Sequence, residues 1–356
     1  MRVLICPADT GGCGFYRLAE PYRVLLEQGH DVTIDVGAKT IMATWDGYAN
    51  VVAVDPLPYD VVVLQRTMNG THAQAIPFMQ ANGTAVVVEL DDDFWSIDKK
   101  NIAHADAHPL TSPYRNYEHL TTACQAADLV TVSTPALARA VPSAHVKVLR
   151  NLIPEWYLSA EISPEANWEL FTGRTVVGWT GSPLTHPGDL EVMGNGLVRA
   201  VRAEGAVFFA IGSPATSQHV GFAHGESAYC PWVELEKYPS AIAGLDVGLV
   251  PLKISPFNEA KSYIKGLEYA ALGVPFVASS TAEYRRLVRA GAGVLAPNQH
   301  DWSRQLTRLL RDVSYRQELA EAGREVAKNL TYERHAWRWL EAYEIAVMNF
   351  KKKVMA

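Results

Sequence analysis

The segment Asn258-Glu-Ala-Lys-Ser-Tyr-Ile-Lys-Gly-Leu-Glu268 sets two lysines and a glutamate a few residues apart, then runs straight into the apolar stretch Tyr269-Ala-Ala-Leu-Gly-Val-Pro-Phe-Val-Ala-Ser279. Taken as a helix beginning near Ala260, the segment places Lys261, Lys265 and Glu268 on one polar stripe. Ala260, Ile264, Leu267 and Ala271 form the adjacent apolar one. Such a stripe on an arbitrary helix is ordinarily a solvated face. The context argues for chemistry instead: the helix follows the apolar run "LDVGLVPL", and ligands of open α/β sheets sit beyond the carboxyl ends of strands. A helix N-terminus there, with Lys261 and Ser262 in its first turn, can receive a phosphate through free N–H groups and an ammonium charge. A carboxylate two turns further on suits a diol, because each oxygen accepts a hydroxyl proton. Glu268 is that carboxylate.

Three other runs carry residue types that fit an anion or a reacting centre. In "TGGCGFYR", Gly12 and Gly14 follow an apolar strand, and the glycines permit positive φ and close backbone approach to a ligand. In "VVGWTGSPLTHPGDL", Gly181, Ser182 and His186 lie just past another strand. The run "ELDDDFW" ends the strand "TAVVV" with Asp91, Asp92 and Asp93, which could hold Mg²⁺ or serve as an N-cap and loop carboxylates. A metal is possible but not favoured, since lysines and a helix terminus can neutralise a bound phosphate instead. His104 and His108 have HxxxH spacing without the glutamate of a zinc helix, so metal ligation is not expected.

The elements that must position these residues alternate between strand and helix. "RVLIC", the helix around Leu18, Tyr22, Leu25 and Leu26, and "DVTID" form a β-loop-α-β unit, and "YDVVVLQ", "TAVVV", "AADLVTVST" and "VKVLRN" continue the series. A second series runs through "RTVVGWTGS", "AVFFAIGS", "LDVGLVPL" and "VPFVASS". The expected fold is α/β: two tandem doubly wound, Rossmann-like parallel-sheet domains facing a cleft, with a helical C-terminus. Boundaries fall at 1–155 for the N-terminal domain, 156–173 for a linker with two Trp and one Pro, 174–330 for the C-terminal domain, and 331–356 for a last helix packing back on the N-terminal domain. Trp302, Leu306, Leu309 and Val313 are expected to form one buried stripe. Thr331 is the expected N-cap of a helix burying Trp337, Leu340 and Val347.

The 356 residues carry a net charge of −6, which disfavours nucleic acid as a partner. Four scattered cysteines without CxxC spacing suggest neither zinc nor disulfides and fit a reducing cytoplasm. The N-terminal apolar run is too short for a signal peptide, and no stretch approaches membrane-spanning length. A soluble, unprocessed cytoplasmic protein is expected.

"LDVGLVPLKISPFNEAKSYIKGLEYAALGVPFVAS" resembles the C-terminal donor motif of the GT-B glycosyltransferases, specifically the retaining family 4 group, and the resemblance covers nearly the whole chain. It implies transfer of a sugar from a nucleotide diphosphate donor to an acceptor hydroxyl with retention, without a metal or a further cofactor. Glu268 matches the family's second glutamate, which holds the donor ribose. The first glutamate has no match, since its position is Ala260. Either Glu259, one residue away, serves instead, or Asn258, Lys261 and Ser262 do its work differently. Asp91 falls where many members carry a histidine facing the donor sugar. Asp91 and Lys261 are thus the expected catalytic residues, and Gly12, Gly14, Gly181, Ser182, His186, Glu259, Ser262, Lys265 and Glu268 the expected donor contacts. Tyr229 and Trp232 lie near the position of the base pocket, although aromatic residues are more often core. The acceptor could be a protein, glycan, lipid or nucleobase hydroxyl. An epimerase, a hydrolase or a catalytically silent nucleotide-sugar-binding subunit are the alternatives compatible with the fold.

Overall fold

The computed structural model describes residues 1–107, 114–162, 173–223 and 225–355. His108 and residues 163–172 of the expected linker lie outside the described residues. The N-terminal half contains β1 (Val3–Cys6), β2 (Val32–Ile34), β3 (Ala43–Trp45), β4 (Val51–Val54), β5 (Val61–Gln65), β6 (Ala85–Leu90), β7 (Leu129–Val132) and β8 (Val146–Val148). Six of these form a sheet in the order β2-β1-β5-β6-β7-β8, while β3 and β4 pair as a separate antiparallel hairpin. The C-terminal half contains β9 (Val176–Gly181), β10 (Val207–Gly212), β11 (Ser227–Pro231), β12 (Val247–Val250), β13 (Phe276–Ala278) and β14 (Val294–Leu295). Their order is β11-β10-β9-β12-β13-β14. Every pairing within the two six-stranded sheets is parallel. These are the two doubly wound sheets the alternation predicts. The central strands are apolar and buried on both faces, as parallel sheets covered by helices must be.

Each sheet reverses its winding direction once, between β1 and β5 in the first and between β9 and β12 in the second. At such a point the loops leaving neighbouring strands part in opposite directions and leave a crevice. The loop after β1 carries Gly12, and the loop after β5 carries Arg66. The loop after β9 carries Ser182 and His186, and the chain after β12 carries Lys261.

After β14 the chain is helical. Trp302, Leu306, Leu309 and Leu310 are buried, but Val313 is exposed, because Asp312 ends one helix and caps the next by accepting from Tyr315 N–H at 2.9 Å. Thr331 has the extended backbone of an N-cap but makes no capping bond, and the helix it begins stops at His335. The last helix, Trp337–Met355, starts anew with a different phase: Trp339, Ala342, Tyr343 and Ala346 are buried, and Trp337 is exposed. It lies against β5, β6 and β7. Trp339 Nε1 donates to the Arg17 carbonyl at 3.2 Å, and Asn349 Nδ2 to that of Asp128 at 2.9 Å. The chain therefore crosses between the halves twice, and the two crossings touch where Ile153 bridges Thr331.

Candidate functional site

The facing ends of the two sheets enclose a cavity of about 580 Å³. Its N-terminal wall includes Gly12, Cys13, Tyr16, Arg66, Asp91 and Asp92, and its C-terminal wall includes Gly181, Ser182, His186, Lys261, Ser262, Lys265 and Glu268. Of the expected site residues, Gly14 and Glu259 do not line it. Gly14 stands behind the wall, where a Cβ would collide with the Asp9 carbonyl oxygen. Glu259 instead accepts from Ala282 N–H at 3.2 Å, at the start of the 282–289 helix. Both Gly12 and Gly14 lie in a helical turn, and neither uses the positive φ that glycine permits. Gly12 is still open: a Cβ there would meet nothing within 4 Å.

The helix expected from Ala260 is interrupted. A short turn spans Pro256–Glu259, and the helix that carries Lys265 and Glu268 begins only at Ile264. Residues 260–263 form a connection held from the N-terminal half: Thr134 Oγ1 donates to the Ala260 carbonyl at 2.7 Å, and Asn151 Nδ2 to Ser262 Oγ at 2.9 Å. Lys261 and Ser262 therefore precede the helix instead of opening its first turn. Ile264 and Lys265 at the true N-terminus line the cavity.

Lys261 reaches across the cleft to Asp92, with Nζ 3.1 and 3.3 Å from its two carboxylate oxygens and 4.4 Å from the centre of the Phe257 ring. Burial works against its charge, but Asp92 overcomes this and holds its pKa above the ordinary lysine value. Lys265 donates to the Thr180 carbonyl at 2.6 Å and stands 5.4 Å from the Trp179 ring. Burial lowers it to about 8, although Glu268 pulls the other way. Gly181 has φ 149°, and any side chain there would press on Trp179. The sheet end therefore stays bare backbone.

Glu268 is only 4% exposed. Tyr16 Oη donates to one of its oxygens at 2.6 Å from the N-terminal half, and Tyr238 Oη to the other at 3.3 Å. Burial pushes the carboxyl up to about 7, while the Tyr16 hydrogen bond and the Lys265 charge restrain the rise. The tyrosines themselves are held protonated by burial and by the neighbouring carboxylate.

The three aspartates separate in role. Asp93 is buried and caps a short turn, accepting from Trp95 N–H at 3.2 Å and from the Ser96 hydroxyl. Asp92 pairs with Lys261. Asp91 lines the cavity with one carboxylate oxygen buried and without a protein hydrogen-bond partner, so it can accept from a ligand hydroxyl. Among the described residues, no three His, Cys, Asp or Glu side chains converge as a metal cage would require.

Two contributors escaped the sequence reading. Asp189, buried, accepts from His186 Nδ1 at 3.0 Å, Lys253 N–H at 2.8 Å and Asn258 Nδ2 at 2.7 Å, so it fixes both loops beside the cavity. Burial and the Lys265 charge lower His186 to about 4, against the pull of Asp189, leaving a neutral imidazole. Tyr16, the second, sat in the quoted glycine-rich run without a local pattern to single it out. Trp232 is 58% exposed yet lines the cavity. Its ring lies where a side chain on Gly212 would stand.

Residues 195–341 match the family model described as glycosyl transferase-like. No significant match was found among curated proteins. Among solved structures, a sucrose-phosphate synthase from Thermosynechococcus elongatus superposes with a TM-score of 0.65 at 13% identity, over 97% of this chain and 98% of that one. Anabaena HepE in complex with UDP-glucose gives 0.61 at 15%, over 96% and 100%. WaaG, a glycosyltransferase involved in lipopolysaccharide biosynthesis, gives 0.58 at 16%, over 96% and 99%. The superpositions define the fold as GT-B, and the family-model match marks residues 195–341 as glycosyl transferase-like. The sequence match lies within the C-terminal half and the last helices, the part that contributes Lys261, Lys265 and Glu268.

Proposed function

We propose that the cleft binds a nucleoside-diphosphate sugar and transfers the sugar to an acceptor hydroxyl with retention of anomeric configuration. The observation that carries this reading is the convergence of a buried carboxylate, two lysines and the bare Gly181 strand end on one wall, facing Asp91 and Gly12 on the other. Glu268 accepts the ribose hydroxyls, Lys261 and Lys265 take the diphosphate charge together with the helix end at Ile264, and Trp232 offers a face to the base. In the transfer step the bond from the anomeric carbon to the diphosphate oxygen breaks, and the acceptor oxygen bonds to that carbon on the same face. The acceptor proton passes to the departing oxygen, so no protein nucleophile is consumed. Charge growing on the diphosphate is met by ammonium groups already in place. Asp91 faces the sugar and receives one of its hydroxyls. UDP is the natural first probe, because structural neighbours are known in complex with UDP and UDP-glucose. Four cysteines scattered along the chain suit a reducing cytoplasm. Among the described residues no helix is long and apolar enough to cross a membrane. Incubation with a panel of UDP- and other nucleotide sugars tests the reading: transfer to an added hydroxyl acceptor supports it, whereas an altered sugar would indicate an epimerase and release of free sugar alone a hydrolase.

Glu268→Gln should weaken UDP binding by ~1.5–3 kcal/mol, the range for hydrogen bonds involving a charged group. The pH dependence follows from the two shifted groups. Ribose recognition favours the carboxylate, so affinity should rise as pH climbs through about 7, the value for Glu268. The diphosphate favours charged Lys265, so affinity should fall as pH climbs through about 8. His186, lowered to about 4, stays neutral throughout this window. Calorimetric titration across pH should give an optimum between the two limbs, with the lower limb absent in Glu268→Gln. An unchanged lower limb in that variant would remove Glu268 from the ribose site.

Transfer should also survive EDTA, since lysines and a helix end take the electrostatic part a metal would otherwise play. Complete loss on chelation, restored by Mg²⁺ or Mn²⁺, would make the aspartate run a metal site.

A further inference from the structure

We propose that Tyr16 and Asp92 are internal placeholders for the donor: in the nucleotide-free protein they hold the hydroxyl and anion positions that ribose and diphosphate take over. This rests on the donor site described above. The geometry of Glu268 carries the first half. A carboxylate 4% exposed cannot present its oxygens to a ribose diol until a covering group moves. Two phenols cover it. Tyr238 belongs to the same half as Glu268 and is anchored to Thr180 Oγ1 at 2.9 Å. Tyr16 comes from the opposite half, donates a hydroxyl proton at 2.6 Å as a ribose hydroxyl would, and lines the cavity.

The second half rests on Lys261. Its ammonium group stands between the oxygens of Asp92, a carboxylate from the opposite wall, and both residues line the cavity. A diphosphate arriving at Lys261 meets the Asp92 charge, and two anions near one ammonium repel. Further contacts across the cleft act in the same sense: Lys253 Nζ lies 3.3 Å from Asp98, and Asn101 Nδ2 donates to the Thr185 carbonyl at 3.0 Å. Both placeholders come from the N-terminal half, so opening the cleft withdraws them together and uncovers Glu268 and Lys261 in one motion. Apparent donor affinity is reduced by the fraction of molecules that remain latched.

The consequence runs against the usual effect of altering a binding-site residue. Tyr16→Phe and Asp92→Asn should each tighten UDP binding, Asp92→Asn by about tenfold, because each raises the free energy of the empty form without removing a donor contact. Calorimetry with UDP on the full chain, comparing wild type, Tyr16→Phe, Asp92→Asn, Glu268→Gln and Lys261→Ala, decides. Thermal melts without UDP should fall in the first two variants and recover more on adding UDP than in wild type. Weaker or unchanged UDP affinity in both would overturn the placeholders. If Glu268→Gln and Lys261→Ala bind less tightly at the same time, the donor site itself stands. Should no variant bind UDP, ADP or GDP, the donor reading falls and the placeholders with it.

Discussion

Lys261→Ala should weaken UDP binding by about 1.5–3 kcal/mol, as loss of a hydrogen bond to a charged group does, while Asp91→Ala should leave affinity nearly intact and lower turnover by about 10²-fold. The split follows from where the two side chains stand. Lys261 belongs to the C-terminal wall, beside the helix end and the bare strand end where a diphosphate would lie. Asp91 belongs to the other wall and keeps one carboxylate oxygen without a protein partner. A contact made only to the sugar, and strengthened as charge develops on the ring, appears in kcat instead of the donor dissociation constant. Gly12→Val provides the third arm. With open space at its Cβ position the valine fits the fold, yet it projects at the cavity wall and should obstruct the donor. Donor Kd and turnover for all three variants test the division of labour. If Asp91→Ala abolishes UDP binding while Lys261→Ala leaves it untouched, the nucleotide sits on the N-terminal half.

Arg17→Ala should destabilise the fold by about 3–5 kcal/mol, the usual cost of stripping one partner from a buried ion pair. Arg17 and Glu89 are each about 1% exposed, with Nε 2.5 Å from Glu89 Oε1. Arg17 also donates to the Leu149 carbonyl and Asn151 Oδ1, and Asn151 in turn holds Ser262. Burial pushes Glu89 up and the guanidinium pulls it back, so without Arg17 the glutamate must take a proton or remain charged in an apolar interior. A fall in melting temperature of roughly 10 °C is expected, with partial recovery in the Arg17→Met/Glu89→Leu pair, where no orphan charge is left. A drop of only a degree or two in Arg17→Ala would show that the pair contributes little.

The two sheets were legible because buried parallel strands are written as short apolar runs such as Val61–Gln65 and Ala85–Leu90, whose meaning depends on few distant partners. The weaker strands were not: Ser227–Pro231 alternates partly exposed residues on a sheet edge, and Val294–Leu295 is two residues long. Within the site, spacing brought out Lys265 and Glu268, which do share a helix. It misplaced Lys261, because what interrupts the helix is the pull of Thr134 and Asn151 from over a hundred residues away. The same limit hid Tyr16 and Asp189. Their importance lies in partners across the molecule, and no local period records such a bond.

The return of helix 337–355 to the first sheet has a consequence for biosynthesis. Carbonyls of Arg17 and Asp128, among the early parts of the chain to be translated, find their donors on Trp339 and Asn349, among the late ones. Residues 1–155 emerging from the ribosome thus carry an apolar sheet face with no cover until some two hundred further residues have been made. The second sheet, contiguous in sequence, faces no such delay. The half translated first is the half that completes its fold last, and a stalled or truncated chain would expose the face of β6 and β7 to whatever chaperone or aggregate reaches it first.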